Sequence, residues 1–239
     1  MKKWEKVVLI LSTIIVLIIG GGIYWWQSTA YHLIEDINSD VIITEKNDYI
    51  LYKSKDTSHE LGVIFYPGGK VSTDGYKQLA TKITSLGYST FVVKMPFNLA
   101  IFNPNGANHI IEDYPNMDFI IGGHSLGGVM ASQYASENDI IKGLFLLASY
   151  PQNDDLKNRQ IPVVSLVGSQ DEIVNMEQFD NSKNNLPTDT KFITIDGGNH
   201  SQFGSYGFQS GDGKSTITIQ QQLEETIDQI NDLIMKVGY

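Results

Sequence analysis

The segment Gly122-Gly123-His124-Ser125-Leu126-Gly127-Gly128 constrains this chain more than any other. It follows an apolar run at 119–121 and precedes a helical stretch at 126–136. A turn that joins strand to helix this abruptly holds its central residue in a strained backbone conformation. Side chains two residues before and after would strike the strand and the helix, so glycine is required at 123 and 127. The outcome is a serine hydroxyl displayed at a strand end, beside a helix N-terminus whose first free N–H belongs to Leu126. The competing use of the same residues is a plain glycine-rich turn with Ser125 as a helix cap.

The rest of the chain alternates short apolar runs with helical spacing. Residues 41–44 and 49–52 flank Lys46-Asn47-Asp48 and predict an opening hairpin. Strands are expected at 61–66, 90–93, 119–121, 143–148, 162–167 and 192–195. Helices are expected at 74–86, 105–114, 126–136 and 215–236. This order predicts an α/β fold with a mainly parallel, doubly wound sheet flanked by helices. Sites in such sheets lie at the carboxyl ends of the strands.

A serine hydroxyl needs a base, and there are five histidines. His32 lies near the N-terminal apolar run, His59 in a polar turn, His109 in a predicted helix. His124 is fixed in the turn beside Ser125. His200 follows the last predicted strand, in Asp196-Gly197-Gly198-Asn199-His200-Ser201, where glycines let an imidazole swing over the serine. The acid that orients it is expected between serine and histidine in the chain. The strand at 162–167 ends in Gly168-Ser169-Gln170-Asp171-Glu172, which makes Asp171 the first choice and Glu172 the competitor. Asp196 is disfavoured by its place at the base of the histidine's own loop.

Tyr66-Pro67-Gly68-Gly69-Lys70 closes the strand at 61–66. A backbone N–H from this loop, with that of Leu126, would receive a developing oxyanion. Gly69 is the expected donor and Lys70 the alternative.

Together these pieces resemble the α/β-hydrolase superfamily over about residues 40–239. The segments FYPGGKV (65–71), KMPFNLAIFNPN (94–105), GGHSLGG (122–128) and GGNHSQFGSYGFQSGDG (197–213) are similar to small bacterial, membrane-anchored members related to dienelactone-hydrolase-like and short-chain esterases. The resemblance implies an α/β-hydrolase fold and a Ser125–His200–Asp171 triad. It further implies a serine hydrolase that cleaves a carboxylic ester through an acyl-enzyme and needs no cofactor. An amidase, an acyltransferase or an inactive binding protein would carry the same framework. Dienelactone hydrolases use a cysteine nucleophile, and this chain has no cysteine, so that particular chemistry is not expected.

Two features bear on substrate. Only 150–161 separate two strands where many lipases insert a cap, so no sizeable cap domain is expected. Met95, Pro96, Phe97, Leu99, Ile101 and Phe102 follow a strand end and fit either an acyl pocket or ordinary core. Phe203, Tyr206 and Phe208 beside His200 leave the same choice. Asp212, among glycines, reads as a turn launching the last helix. Asp154-Asp155 reads as a solvated loop pair, and no metal cluster is expected.

Lys2, Lys3 and Lys6 precede an uncharged apolar run at 7–26 that ends in Tyr24-Trp25-Trp26. Basic residues before and aromatics after predict an anchor over 1–26 with the amino end inside. A linker at 27–40 and a hydrolase domain at 41–239 would then lie outside the cytoplasmic membrane. A cleaved signal ending near Ser28-Thr29-Ala30, or a core helix, would share this pattern. The net charge is −10, and the three Lys and one Glu of the first thirty residues leave the remainder at −12. Such a body repels phosphate backbones, so nucleic acid is not an expected partner. The expected partners are an acyl substrate, small or lipid-like, and a membrane.

Overall fold

A computed structural model describes residues 3–35, 40–55 and 60–239. The chain divides into two units, Met1–Ala30 and Tyr31–Tyr239. The first is a single helix, α1 (Lys3–Ser28). Its stretch Ile10–Ser28 is long and apolar enough to cross a membrane, by length and composition.

The second unit is built on eight strands: β1 (Ile42–Glu45), β2 (Tyr49–Lys53), β3 (Leu61–Tyr66), β4 (Ser89–Val93), β5 (Asp118–His124), β6 (Ile141–Leu147), β7 (Val163–Gly168) and β8 (Lys191–Ile195). Their order in the sheet is β1-β2-β4-β3-β5-β6-β7-β8. The first two strands form the expected hairpin, closed by Lys46 N–H to the carbonyl of Tyr49. The pairs β1–β2 and β2–β4 are antiparallel, and every later pair is parallel.

The helices are α2 (Lys77–Ser85), α3 (Ala107–Asp113), α4 (Leu126–Glu137), α5 (Met176–Ser182) and α6 (Ile219–Val237). Alternate residues of the strands feed two cores, as pleating requires. Val63, Phe65, Ile120, Phe145 and Leu166 pack against Leu79 and Ile83 of α2 and Leu223, Ile230 and Ile234 of α6. Ile64, Phe91, Ile121, Leu144 and Leu146 pack against Ile110 of α3 and Ala131 and Tyr134 of α4. Burial on both faces explains why the central strands read as unbroken apolar runs.

Most differences from the sequence reading lie at element ends. The helix expected over 74–86 opens as a short helical turn, Thr73–Tyr76. The closing helix starts at Ile219 because Thr218 and Gln221 exchange hydrogen bonds as a capping box. Helix α5 was not anticipated; its seven residues follow the cap Asn175, whose Oδ1 accepts from Gln178 N–H. Residues 31–35, within the expected linker, are hydrogen-bonded to the folded body. Tyr31 N–H donates to the Lys70 carbonyl (2.9 Å), and Ile34 N–H to that of Ser205 (3.0 Å). Residues 36–39, and His59, lie outside the described residues.

The two-sided burial of the sheet yields a direct test on α6. Ile230→Ala empties a fully buried position and is expected to cost about 2–5 kcal/mol. Met235→Ala, on the exposed side of the same helix, is expected to stay within about 0.5 kcal/mol. Urea unfolding of the two variants measures both.

Candidate active site

The sheet order reverses between β3 and β5, so the crevice of this fold opens above the carboxyl ends of those two strands. Tyr66-Pro67-Gly68-Gly69 leaves β3 there, and His124-Ser125 leaves β5. Ser125 sits at φ 52°, ψ −124°, a conformation that costs a non-glycine residue on the order of 1–3 kcal/mol. The surroundings over-determine it. Ser125 N–H donates to the Leu147 carbonyl (2.9 Å), and the Ser125 carbonyl accepts from Gly128 N–H (3.0 Å) and Ser149 Oγ (2.8 Å). A Cβ on Gly127 would overlap the carbonyl oxygens of Tyr66 and Pro67, and one on Gly123 would lie 2.5 Å from the carbonyl carbon of Gly127. The two glycine requirements read from the sequence therefore have a backbone-on-backbone cause.

Asp171 and His200 meet in a buried pair. Asp171 Oδ2 lies 2.9 Å from His200 Nδ1, and their side chains are 0% and 1% exposed. The other carboxylate oxygen accepts from Ile173 and Val174 N–H, both at 2.9 Å. Those bonds hold the carboxylate in place independently of the imidazole. They also explain why Glu172, exposed at the next position, does not take its place. Asp196 is exposed and bonds Ser169 Oγ instead. With Nδ1–H directed at a carboxylate, Nε2 is left as the acceptor nitrogen. Among the described residues, Nε2 of His200 has no hydrogen-bond partner, nor is it bonded to Ser125. His32 pairs with Asp74, and His109 is exposed on α3.

The loop carrying His200 rests on polar groups whose roles the sequence did not disclose. Asp212, expected to be a turn residue, is buried beneath it. Its carboxylate accepts from His200 N–H (3.3 Å), Ser201 N–H (2.8 Å), Ser201 Oγ (2.5 Å) and Gly213 N–H (2.8 Å). Gln222, on the buried side of α6, accepts from Asn199 N–H and donates to the Asn199 carbonyl. A glutamine adjoining the Leu223/Ile227/Ile230 stripe was the available signal. The burial of Asp212 had none in the local sequence.

The loop after β3 is drawn toward α4. A Cβ on Gly69 would lie 3.4 Å from Leu126 Cδ2 and 3.7 Å from Leu99 Cδ2. Gly68 N–H is bonded to the Tyr76 hydroxyl (2.9 Å), and Lys70 N–H to the Asn98 carbonyl (2.7 Å). Among the described residues, the N–H groups of Gly69 and Leu126 carry no such bond. The Tyr76 hydroxyl also shares a 2.8 Å bond with Nδ1 of His124, whose ring centroid is 4.5 Å from that of His200. Full burial, and then the neighbouring His200, hold the His124 imidazole well below its ordinary pKa.

Ser125 and His200 share an open groove of about 300 Å³, lined also by Val129, Tyr150, Ile173 and Val174. The six residues of the loop after β4 do not line it. Met95 is buried in the core, Leu99 packs beside Gly69, and Phe97, Ile101 and Phe102 are exposed. Phe203 and Tyr206 are core and Phe208 is exposed. Between β6 and β7 the chain makes only turns, leaving the groove without a cap. A larger depression of about 630 Å³, at the opposite ends of the strands around Asp118, Ile141 and Tyr239, contains none of these residues.

The family described as the alpha/beta hydrolase family matches residues 62–224, more than half of the chain. The chain belongs to this family. Its members' fold recurs in solved structures of low sequence identity. Est1E from Butyrivibrio proteoclasticus is 15% identical with a TM-score of 0.60, covering 83% of this chain and 99% of that one. A predicted CIB-like hydrolase from Thermoplasma acidophilum is 14% identical at 0.59, covering 81% and 100%. A dienelactone hydrolase from Anabaena variabilis is 13% identical at 0.59, covering 82% and 96%. No curated protein matches the chain at the sequence level. This protein is thus a hydrolase of the α/β-hydrolase fold.

The buried His124 makes stability depend on pH with a defined sign. Its pKa is lower in the folded protein than the ordinary 6.5, so below that value the unfolded chain binds the extra proton. Stability is therefore present above pH 6.5 and falls as pH drops, by about 1.4 kcal/mol per unit for this one group. Unfolding free energies at pH 7.5 and 5.5 should show a steeper loss in the wild type than in His124→Gln. Equal losses would contradict the assignment.

Proposed function

We propose that this hydrolase cleaves a carboxylic ester through an acyl-enzyme, with Ser125 as nucleophile. The observation that carries the reading is the buried Asp171–His200 pair, whose unpartnered Nε2 belongs to the same groove as the strained Ser125. His200 Nε2 takes the Ser125 proton as Oγ attacks the ester carbonyl carbon. Asp171 holds the imidazole in the Nδ1–H tautomer and stabilises the imidazolium. The N–H groups of Gly69 and Leu126 receive the oxyanion; the bonds already made by Gly68 and Lys70 favour Gly69 within its loop. The imidazolium then gives its proton to the departing alkoxide, and the alcohol leaves. Water, deprotonated by the same nitrogen, attacks the acyl-enzyme and releases the carboxylic acid and free Ser125. The match of Gly123 and Gly127 to the elbow's steric demands supports the serine assignment.

The apolar stretch Ile10–Ser28, preceded by lysines, supports a retained single-pass anchor with the hydrolase unit outside the cytoplasmic membrane.

A fluorophosphonate probe tests the reaction class. The wild type should be labelled at Ser125, with labelling lost in Ser125→Ala and His200→Ala. Asp171→Asn should lower kcat for a chromogenic ester by about 10⁴-fold. Equal labelling of wild type and Ser125→Ala would remove Ser125 from the mechanism.

A further inference from the structure

Lys70 joins two features that the hydrolytic reaction itself does not explain. Its carbonyl accepts from Tyr31 N–H (2.9 Å), and its N–H donates to the Asn98 carbonyl (2.7 Å). Tyr31 opens the folded unit and is covalently continuous with the 19-residue apolar span Ile10–Ser28, with only Thr29 and Ala30 between them. Three peptide steps reach at most about 11 Å. Asn98 belongs to a loop that displays Phe97, Ile101 and Phe102 at 41%, 49% and 57% exposure. The Phe97 and Phe102 rings meet edge to face with centroids 5.8 Å apart, so these side chains form one patch rather than scattered residues. Phe97 and Asn98 both have positive φ (55° and 54°), a strained backbone that holds the patch outward.

The patch adjoins the helix that leaves the reaction site. The turn Ala100–Phe102 packs against α4, the helix that starts beside Ser125. Leu99, between the patch and the site, approaches Gly69 together with Leu126. At the entering segment, Ile34 and Phe208 are also exposed, at 69% and 56%, and line one depression. The body's charge of −12 offers no attraction to anionic headgroups, so apolar side chains must supply any contact with a bilayer.

We infer that the loop Pro96–Asn98 and Ala100–Phe102 seats on the lipid surface in which the N-terminal helix is anchored, and that the substrate is an amphiphilic ester dissolved in that surface. The inference rests on the ester-hydrolase and anchor readings above. The ester carbonyl of such a molecule lies at the interface, close to where the tether holds Lys70 and hence Gly69. Its acyl chain would pass along Phe102, Leu99 and Leu126 toward Ser125.

The absence of cysteine makes the test clean. The full chain carrying one introduced cysteine, Phe102→Cys or Asn158→Cys, is labelled with nitrobenzoxadiazole and reconstituted in phosphatidylcholine vesicles. Asn158 is exposed on the connection into β7, at the opposite ends of the strands. Flotation with the vesicles reports anchoring independently of the label, and fluorophosphonate labelling reports the serine chemistry independently of both. In the floated protein, position 102 should give blue-shifted emission quenched by nitroxide-labelled phosphatidylcholine, and position 158 neither. A water-like spectrum at 102 in protein that floats overturns the inference while the anchor stands. In protein that labels with fluorophosphonate, Ile101→Ser/Phe102→Ser should lower the ratio of vesicle-borne long-chain ester hydrolysis to soluble short-chain ester hydrolysis by at least about tenfold. An unchanged ratio overturns the substrate class while the hydrolase reading stands.

Discussion

The absence of a side chain at Gly127 sets the geometry on which the remainder of the site depends. With hydrogen alone at that position, the first turn of α4 lies directly on the carbonyls of Tyr66 and Pro67. That contact brings the carboxyl ends of β3 and β5 together at the point where the sheet order reverses. It also fixes how steeply the chain must turn after His124, and so holds Ser125 at positive φ. The same approach sets the Gly69 loop against Leu126, whose helix starts beside Ser125. The strain at Ser125 is small against the burial of the strands around it, each of which contributes several fully buried apolar side chains.

The histidine arrives on different terms. His200 stands on a loop anchored in the core by Phe203 and Tyr206, and buried hydrogen bonds define its position. Asp171 is held by two backbone N–H groups as well as by the imidazole, Asp212 ties the loop's start to its return, and Gln222 pins Asn199 to the closing helix. Buried hydrogen bonds of this kind favour one arrangement, because each alternative strands a donor or acceptor. The His124 ring lies 4.5 Å from that of His200, centroid to centroid, and the Tyr76 hydroxyl joins His124 to Gly68.

The sequence disclosed what is local and periodic. Apolar runs and glycine placement located the strands and the elbow, because pleating and the steric demand at 123 and 127 act within a few residues. Asp171 and His200 were legible from their positions after strands. Asp212, Tyr76 and Gln222 were not read as part of the site, since their partners there, Ser201, His124 and Asn199, lie 11, 48 and 23 residues away in the chain. The loop after β4 illustrates a second limit: composition showed six apolar residues but not that Met95 turns inward while Phe97, Ile101 and Phe102 turn outward. Helix α5 was missed because seven residues carry too little periodicity to stand out.

The central claim is that Ser125 becomes covalently acylated. Rapid acid quench of the full-length enzyme during turnover of a p-nitrophenyl ester, followed by peptide mass spectrometry, tests it most directly. The account predicts one acyl group, on the peptide containing Ser125, that accumulates with a burst of p-nitrophenol. Turnover of the ester with no acylated peptide, or with the acyl group on another residue, would contradict it.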